Sequence, residues 1–291
     1  MAEPQYDRTT QDLGNIVEIG HVNVNITDQH LATHFYVTGL GLTRDPFINT
    51  GMRLMWVNVG TSQFHLPSGT PSVVAGTIGM VLPDRAALLA RLGEVKKGLD
   101  GTNFAFRESN DGVEVVCPWG NRIRVHEPDA DRFGRIVLGL PYIEFDVGPG
   151  TAERIARFYR EILDAPADVV ENGAGRKARV SVGQKRYFYF RETDAPQKPY
   201  DGHHVQISLA NFSGPHRRLK ELGLISREFN EFEYRFIDVI DLDTREVLFK
   251  MEHETRSQTH PMFGRPLVNR NPAQNNRDYK PGHDSMSWAL S

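Results

Sequence analysis

The stretch His203-His204-Val205-Gln206-Ile207-Ser208-Leu209 decides how this chain is read. Polar and apolar residues alternate, so an extended conformation puts His204, Gln206 and Ser208 on one face and Val205, Ile207 and Leu209 on the other. The apolar face suits packing on a helix. An imidazole and a carboxamide are costly to bury without partners, so the opposite face is expected to line a hydrated cavity or a metal site. His203 points away from His204, and the two are not expected to hold one ion together.

The same alternation recurs on both sides of this strand. Ile16 to Ile26 sets His21, Asn23 and Asn25 against Val22, Val24 and Ile26, and a helix capped by Thr27 or Asp28 follows to about Val37, with Leu31, His34, Phe35 and Thr38 on its inner side. Arg53–Val59 and Ser62–Leu66 read as a hairpin whose second strand carries Gln63 and His65 on one face. A further strand at Thr77–Leu82, a helix at Asp84–Leu92 and strands at Phe104–Glu108, Val113–Val116 and Arg122–Glu127 complete the first half. The pattern then restarts. Tyr142–Val147 is a strand, Ala152–Leu163 an amphipathic helix with Ile155, Phe158, Tyr159 and Ile162 inward, and Arg179–Val182 with Tyr187–Arg191 a hairpin. After the His204 strand come a helix at Pro215–Leu222 and strands at Tyr234–Ile240 and Val247–Glu252. From His21 to Tyr142 is 121 residues, from Phe35 to Phe158 and from Gly60 to Gly183 123, and from Ile123 to Val247 124. A near-constant offset across four kinds of landmark indicates a tandem duplication. The expected organisation is a flexible arm over 1–15, domains over 16–128 and 139–254, and a Pro- and Asn-rich extension over 255–291 that is either disordered or laid along the domains.

Composition bounds the function. A net charge of −3 with scattered basic residues gives no reason to expect nucleic acid. The lone Cys117 excludes an internal disulfide and any multi-cysteine metal site, which fits a reducing compartment. No segment is apolar for long enough to span a bilayer, and no signal-peptide core opens the chain, so cytoplasm is the default expectation and a membrane is not an expected partner. No Walker loop, nucleophile elbow or dinucleotide fingerprint is present.

Repeated strand-helix-strand-strand units, the stretch Cys117-Pro118-Trp119-Gly120-Asn121-Arg122-Ile123, and an opening His21-Val22 strand followed by Phe35-Tyr36 and Leu40-Gly41-Leu42 resemble the vicinal oxygen chelate superfamily over about residues 16–254. That group includes glyoxalase I, the bleomycin and fosfomycin resistance proteins and the extradiol dioxygenases, and the tandem layout looks most like the last of these. The resemblance implies an α+β fold in which tandem βαβββ modules form two cup-shaped mixed-sheet domains. It also implies a divalent metal on a concave face, Fe(II) first with Mn, Ni or Zn as alternatives, and a small-molecule substrate chelating it through neighbouring oxygens; a homo-oligomer is compatible. Carried onto this chain, the ligand positions are Tyr142, His204 and the last strand in the second copy, where Glu252 is the nearest carboxylate on the ligand face. In the first copy they are His21, His65, Thr77 and Arg124, the last a cation in the acid's place; His21, His65 and His126 together would make a three-imidazole site.

Each assignment has an ordinary counterpart. His204, His21 and His65 are metal ligands or histidines hydrogen-bonded within a sheet. Tyr142 is an acid–base group or a core tyrosine, and Tyr189 stacks on a planar substrate or packs a cup wall. Glu252 is a ligand or the solvated end of a strand. Two functions stay open: a metal-dependent dioxygenase or lyase/isomerase with His204, Glu252, His21 and His65 as ligands and Tyr142 and Tyr189 at the chemistry, and a metal-free binding protein of the drug-sequestering kind.

Overall fold

The computed structural model describes residues 5–284 apart from residue 174, so the outermost part of the expected arm and of the C-terminal extension lies outside the described residues. Four units follow one another. The first holds β1 (Ile16–Asn23), α1 (Gln29–Ala32), β2 (Thr43–Arg44), β3 (Leu54–Val59) and β4 (Ser62–Pro67). The second holds β5 (Gly76–Val81), α2 (Arg85–Val95), β6 (Ala105–Ser109), β7 (Gly112–Val116) and β8 (Arg122–His126), and a short α3 (Ala130–Phe133) leads onward. The third comprises β9 (Gly139–Val147), α4 (Ala152–Leu163), β10 (Ala167–Asn172), β11 (Gly175–Ser181) and β12 (Tyr187–Glu192). The fourth comprises β13 (His204–Leu209), α5 (Ser213–Glu221), β14 (Ile225–Asn230), β15 (Glu233–Ile240) and β16 (Val247–Ser257).

These units build two mixed eight-stranded sheets, and each sheet draws on both halves of the sequence. The first and fourth units form one, in the order β14-β15-β16-β13-β1-β4-β3-β2, and the second and third form the other, β10-β11-β12-β9-β5-β8-β7-β6. Units meet through antiparallel ladders, β1 on β13 and β5 on β9, whereas the first and last strands of each unit run parallel. The α+β class with repeated βαβββ units is the one the sequence predicts.

One apolar cluster runs through both sheets, because each strand turns alternate residues outward from its cup. α4 presents Ile155, Phe158, Tyr159 and Ile162 as predicted, and packs against β10, β11 and β12 of one sheet and β15 of the other. Three local expectations change. Asp28 caps α1 by accepting from the amides of His30 and Leu31, but from Thr33 to Gly39 the helix widens to π winding. That turns Ala32, Phe35, Tyr36 and Gly39 inward in place of Leu31, His34 and Thr38. β2, β10 and β14, short or mostly exposed strands with little apolar alternation, add to the predicted set. β16 runs five residues past Glu252, because Glu252 to Ser257 pair one for one with β13. The extension beyond it follows the surface of the first sheet, where Val268 and Asn269 bond to Asn58 and Gly60.

His253 shows how tightly this framework holds titratable groups. It stacks on Phe236 with centroids 4.0 Å apart, its Nδ1 lies 2.8 Å from the Met251 carbonyl, and the Tyr159 hydroxyl lies 2.7 Å from its Nε2. Nδ1–H therefore donates to the carbonyl and Nε2 accepts from the tyrosine, which is the neutral ring. Burial pushes His253 down to about 3 and His21, on the first sheet, down to about 4, from the ordinary 6.5. Below pH 6.5 the unfolded chain takes up protons that the native protein refuses, so this stability is complete above 6.5 and declines as the pH falls, by at most ~1.4 kcal/mol per pH unit for each ring. Urea midpoints of the metal-free protein should be lower at pH 5 than at pH 7; a midpoint that does not move over that interval would contradict the burial of these rings.

Candidate metal centre

The concave face of the first sheet is laid out by register. Glu254, Gln206, His21 and Gln63 form one row across β16, β13, β1 and β4, and Glu252, His204, Asn23 and His65 form the next. β1 carries a bulge between Ile19 and His21, with Gly20 as the extra residue. A Cβ on Gly20 would stand 1.6 Å from the Gln206 side-chain oxygen, so only glycine leaves that carboxamide its place. The extra residue lets Glu18 and His21 both face the cup while Ile19 and Val22 stay in the core.

Three donors converge there. His21 Nε2 is 3.3 Å from His204 Nε2 and 3.6 Å from Glu254 Oε2, and His204 Nε2 is 3.2 Å from the same oxygen. Among the described residues these are the three His, Cys, Asp or Glu side chains whose ligand atoms group in this way, all within 4.8 Å of one another. The spacing matches adjacent ligands around an ion with bonds of about 2.0–2.2 Å, and two imidazoles with one carboxylate suit zinc, iron, nickel or manganese. Burial holds His21 near 4, so its ring is neutral at physiological pH. Burial pushes the Glu254 carboxyl up, but His21, His204 and Arg256 outweigh it and hold the group well below the carboxylate range. At neutral pH, then, His21 and Glu254 already stand in their ligating protonation states.

The surroundings orient these groups. Glu252 Oε2 lies 3.5 Å from His204 Nδ1 and accepts from Arg235 at 3.0 Å. Glu254 accepts from Arg235 through Oε2 and pairs with Arg256 through Oε1 at 2.6 Å. His65 stacks on His21 with centroids 3.7 Å apart, and Trp56 stacks on His65 at 4.1 Å. The His65 Nε2 meets Gln63 at 3.1 Å, so the ring braces His21 from the side and its nitrogens stand outside the converging set.

The structure thus joins His21 and His204, one from each sequence half, with Glu254, which the sequence reading missed. Glu252 stands behind His204 and not among the three converging donors. Reading the last strand to its end at Glu252 concealed Glu254; the Glu252-His253-Glu254 alternation, with a core histidine between two cup-facing acids, was the available signal. Glu18 escaped for a different reason: Gly20 shifts the strand's parity, as a glycine inside a strand often does. Tyr142, Tyr189, Arg124 and His126 lie on the second sheet, away from His21 and His204, so the three-imidazole grouping of His21, His65 and His126 does not form. Tyr142 instead donates to His126 Nε2 at 2.9 Å, because His126 Nδ1 faces the Asp111 carbonyl at 2.8 Å. His203 points out of the cup onto Asp201, 2.8 Å away.

A cavity of about 430 Å³ meets this centre at His21, and Glu18, Trp56, Gln206 and Arg256 also line it. Its outer wall is the C-terminal segment, through Met262, Pro266 and Leu267. Arg265 fastens that wall to buried Asp45 at 2.6 Å, and Asn269 exchanges two hydrogen bonds with the backbone of Gly60.

No family model and no curated protein matches the sequence. Among solved structures, glyoxalase I from Zea mays is similar over 83% of this chain and 92% of its own, with TM-score 0.56 and 13% identity. A Bacillus subtilis protein described as a dioxygenase is similar over 87% and 91%, with TM-score 0.53 and 16% identity. The fold is that of the vicinal oxygen chelate superfamily, with a His-His-Glu cluster in one of its two cups. No helix among the described residues is long and apolar enough to cross a membrane.

If the three donors hold an ion, Glu254→Gln and His21→Ala should abolish stoichiometric Co(II) uptake, read as the visible absorption of the Co(II) protein. Glu252→Gln should keep uptake with affinity about 10–100-fold lower, because it removes only a partner of a ligand. Full uptake in Glu254→Gln would rule this centre out.

Proposed function

We propose that this protein is a metal-dependent enzyme acting on a small organic molecule that chelates the ion through neighbouring oxygens, with His21, His204 and Glu254 as ligands. The convergence of these three donors, with His21 among them lining a 430 Å³ cavity, carries the proposal. Fe(II) is the favoured ion, since two histidines and one carboxylate leave coordination positions free for substrate, with Mn, Ni and Zn as alternatives. A divalent cation bound there stabilises negative charge on a coordinated substrate oxygen.

Glu18 supports proton-transfer chemistry of the lyase or isomerase kind. It lines the same cavity, and burial raises its carboxyl above the ordinary value against the pull of Ser208, Arg186 and Arg256. Ser208 Oγ donates to Glu18 Oε1 at 2.9 Å, Gln206 donates to Ser208 at 3.1 Å, and the carboxyl is thereby fixed in orientation. A carboxyl with a raised pKa exchanges protons with carbon acids more readily near neutral pH than an exposed one. Trp56, Met262 and Leu267 exclude water from the apolar part of the substrate. A second reading, ring cleavage of catechols, is favoured by the donor set itself and by its match to oxygen-using iron centres. Tyr142 and Tyr189 take no part in either reading.

Hydroxyacetone in D2O probes the first reading, and 3,4-dihydroxybenzoate under oxygen the second. Metal-loaded wild type should catalyse C–H exchange, seen by NMR, and Glu18→Gln should slow it by about 10²–10⁴-fold with unchanged metal content. Exchange that survives in Glu18→Gln would remove Glu18 from the chemistry. Oxygen consumption with the catechol and no exchange with the ketone would favour ring cleavage.

The assigned proton carrier also fixes the direction of a pH profile. If Glu18 removes the proton, kcat/KM should rise with pH through a value above the ordinary carboxylate range, and that rise should vanish in Glu18→Gln.

A further inference from the structure

The second sheet curls into a cup of its own, with a cavity of about 440 Å³, within the size range of small-molecule sites. It holds no triad of metal-ligating donors among the described residues. Five basic and three acidic side chains line it together with Tyr142, Tyr187 and Tyr189.

Tracing each cation to its partner shows where positive charge is left over. Arg132 is taken up by Asp111, Arg179 by both oxygens of Asp168, and Lys177 by Glu144 at 3.0 Å while its ammonium sits 4.2 Å above the Tyr189 ring. Arg124 reaches Glu114 only at 3.5 Å, and that carboxylate is already engaged by Arg107 at 2.7 Å. Among the described residues no carboxylate pairs with Lys185, whose Nζ rests on the backbone carbonyl of Asp131, itself on the cavity lining, at 3.3 Å. Lys185 is also held in an unusual way. Its backbone φ of 54° is left-handed, a conformation that disfavours a long side chain, and its stem lies across Gly134, where an added Cβ would come within 3.0 Å of Lys185 Cγ. A glycine and a strained backbone together lay this lysine over the cup.

We propose that the second cup is a separate, metal-independent site for a small aromatic anion, whose carboxylate or phosphate is received by Lys185 and Arg124 and whose ring rests against Tyr187 and Tyr189. The unneutralised cations select the charge, and the tyrosine walls select a flat apolar body. Tyr142, with its hydroxyl committed to His126, forms the floor.

Benzoate and phenyl phosphate are the probes and neutral benzamide the control, titrated calorimetrically into the full-length metal-free protein. Both anions should bind, benzamide at least about tenfold more weakly, and raised salt should weaken the anions alone. Lys185→Gln and Arg124→Gln should each weaken benzoate about fivefold, as loss of one half-exposed ion pair would, while His21→Ala should leave it unchanged. Lys185 is exposed, so its variant carries the test even where Arg124→Gln disturbs the sheet. The proposal fails if benzoate gives no heat at about 10 mM, if benzamide binds equally well, or if His21→Ala removes binding that Lys185→Gln retains. The last result would place the anion in the metal cup.

Discussion

The antiparallel ladder between β1 and β13 is the interaction on which the candidate centre depends. Without it His21 and His204, separated by 183 positions in the chain, have no reason to meet. The ladder fixes them to neighbouring rows, and the bulge at Gly20 adjusts the phase so that His21 enters the cup beside Gln206. Parallel pairing of β13 with β16 then brings Glu254 alongside. Two strand contacts and one glycine therefore specify the cluster, and each is a backbone feature set before any side chain is chosen.

Burying so many charges together needs compensation. Glu254 is almost fully enclosed, and isolated it would be driven to its neutral form. His21, His204 and Arg256 hold it as a carboxylate, and Arg235 ties it to Glu233 and Glu252, so β15 and β16 share one network of acids and guanidinium groups. On the other flank Arg265, Asp45, Gln63 and His65 form a continuous run of contacts from the C-terminal segment to the ring stacked on His21. The segment that walls the cavity is thus joined physically to the imidazole at its base. Buried groups linked in this way resist independent movement, because displacing one leaves its neighbour unsatisfied.

Most of the fold was legible in the sequence because alternation and the helix stripe are strong where one face is buried. Ala152–Leu163 matches its prediction residue for residue, and the His204 strand differs by one position. β10 and β14 escaped because their side chains are largely exposed on both faces. The site was legible only in part, for a topological reason. A tandem repeat invites the search for ligands within each copy, whereas pairing the first unit with the fourth takes one histidine from each. His21 and His204 were identifiable from their strands, Glu254 was hidden by two residues of strand length, and Glu18 by one glycine. The placement of Tyr142 and Tyr189 opposite the histidines follows from the same exchange of units between sheets.

Because the first and fourth units make one sheet, order of synthesis bears on assembly. The second and third units are adjacent in sequence, so β5 and β9 are both available to pair once those two units have left the ribosome. The first unit emerges earliest, yet β1 waits with an unpaired edge until β13 arrives. The first sheet is therefore completed only once β13 and β16 have emerged, and a polypeptide halted after the third unit would present the strands of the second sheet and an open β1 edge. In this architecture the His-His-Glu cluster can assemble only after β16 has been made.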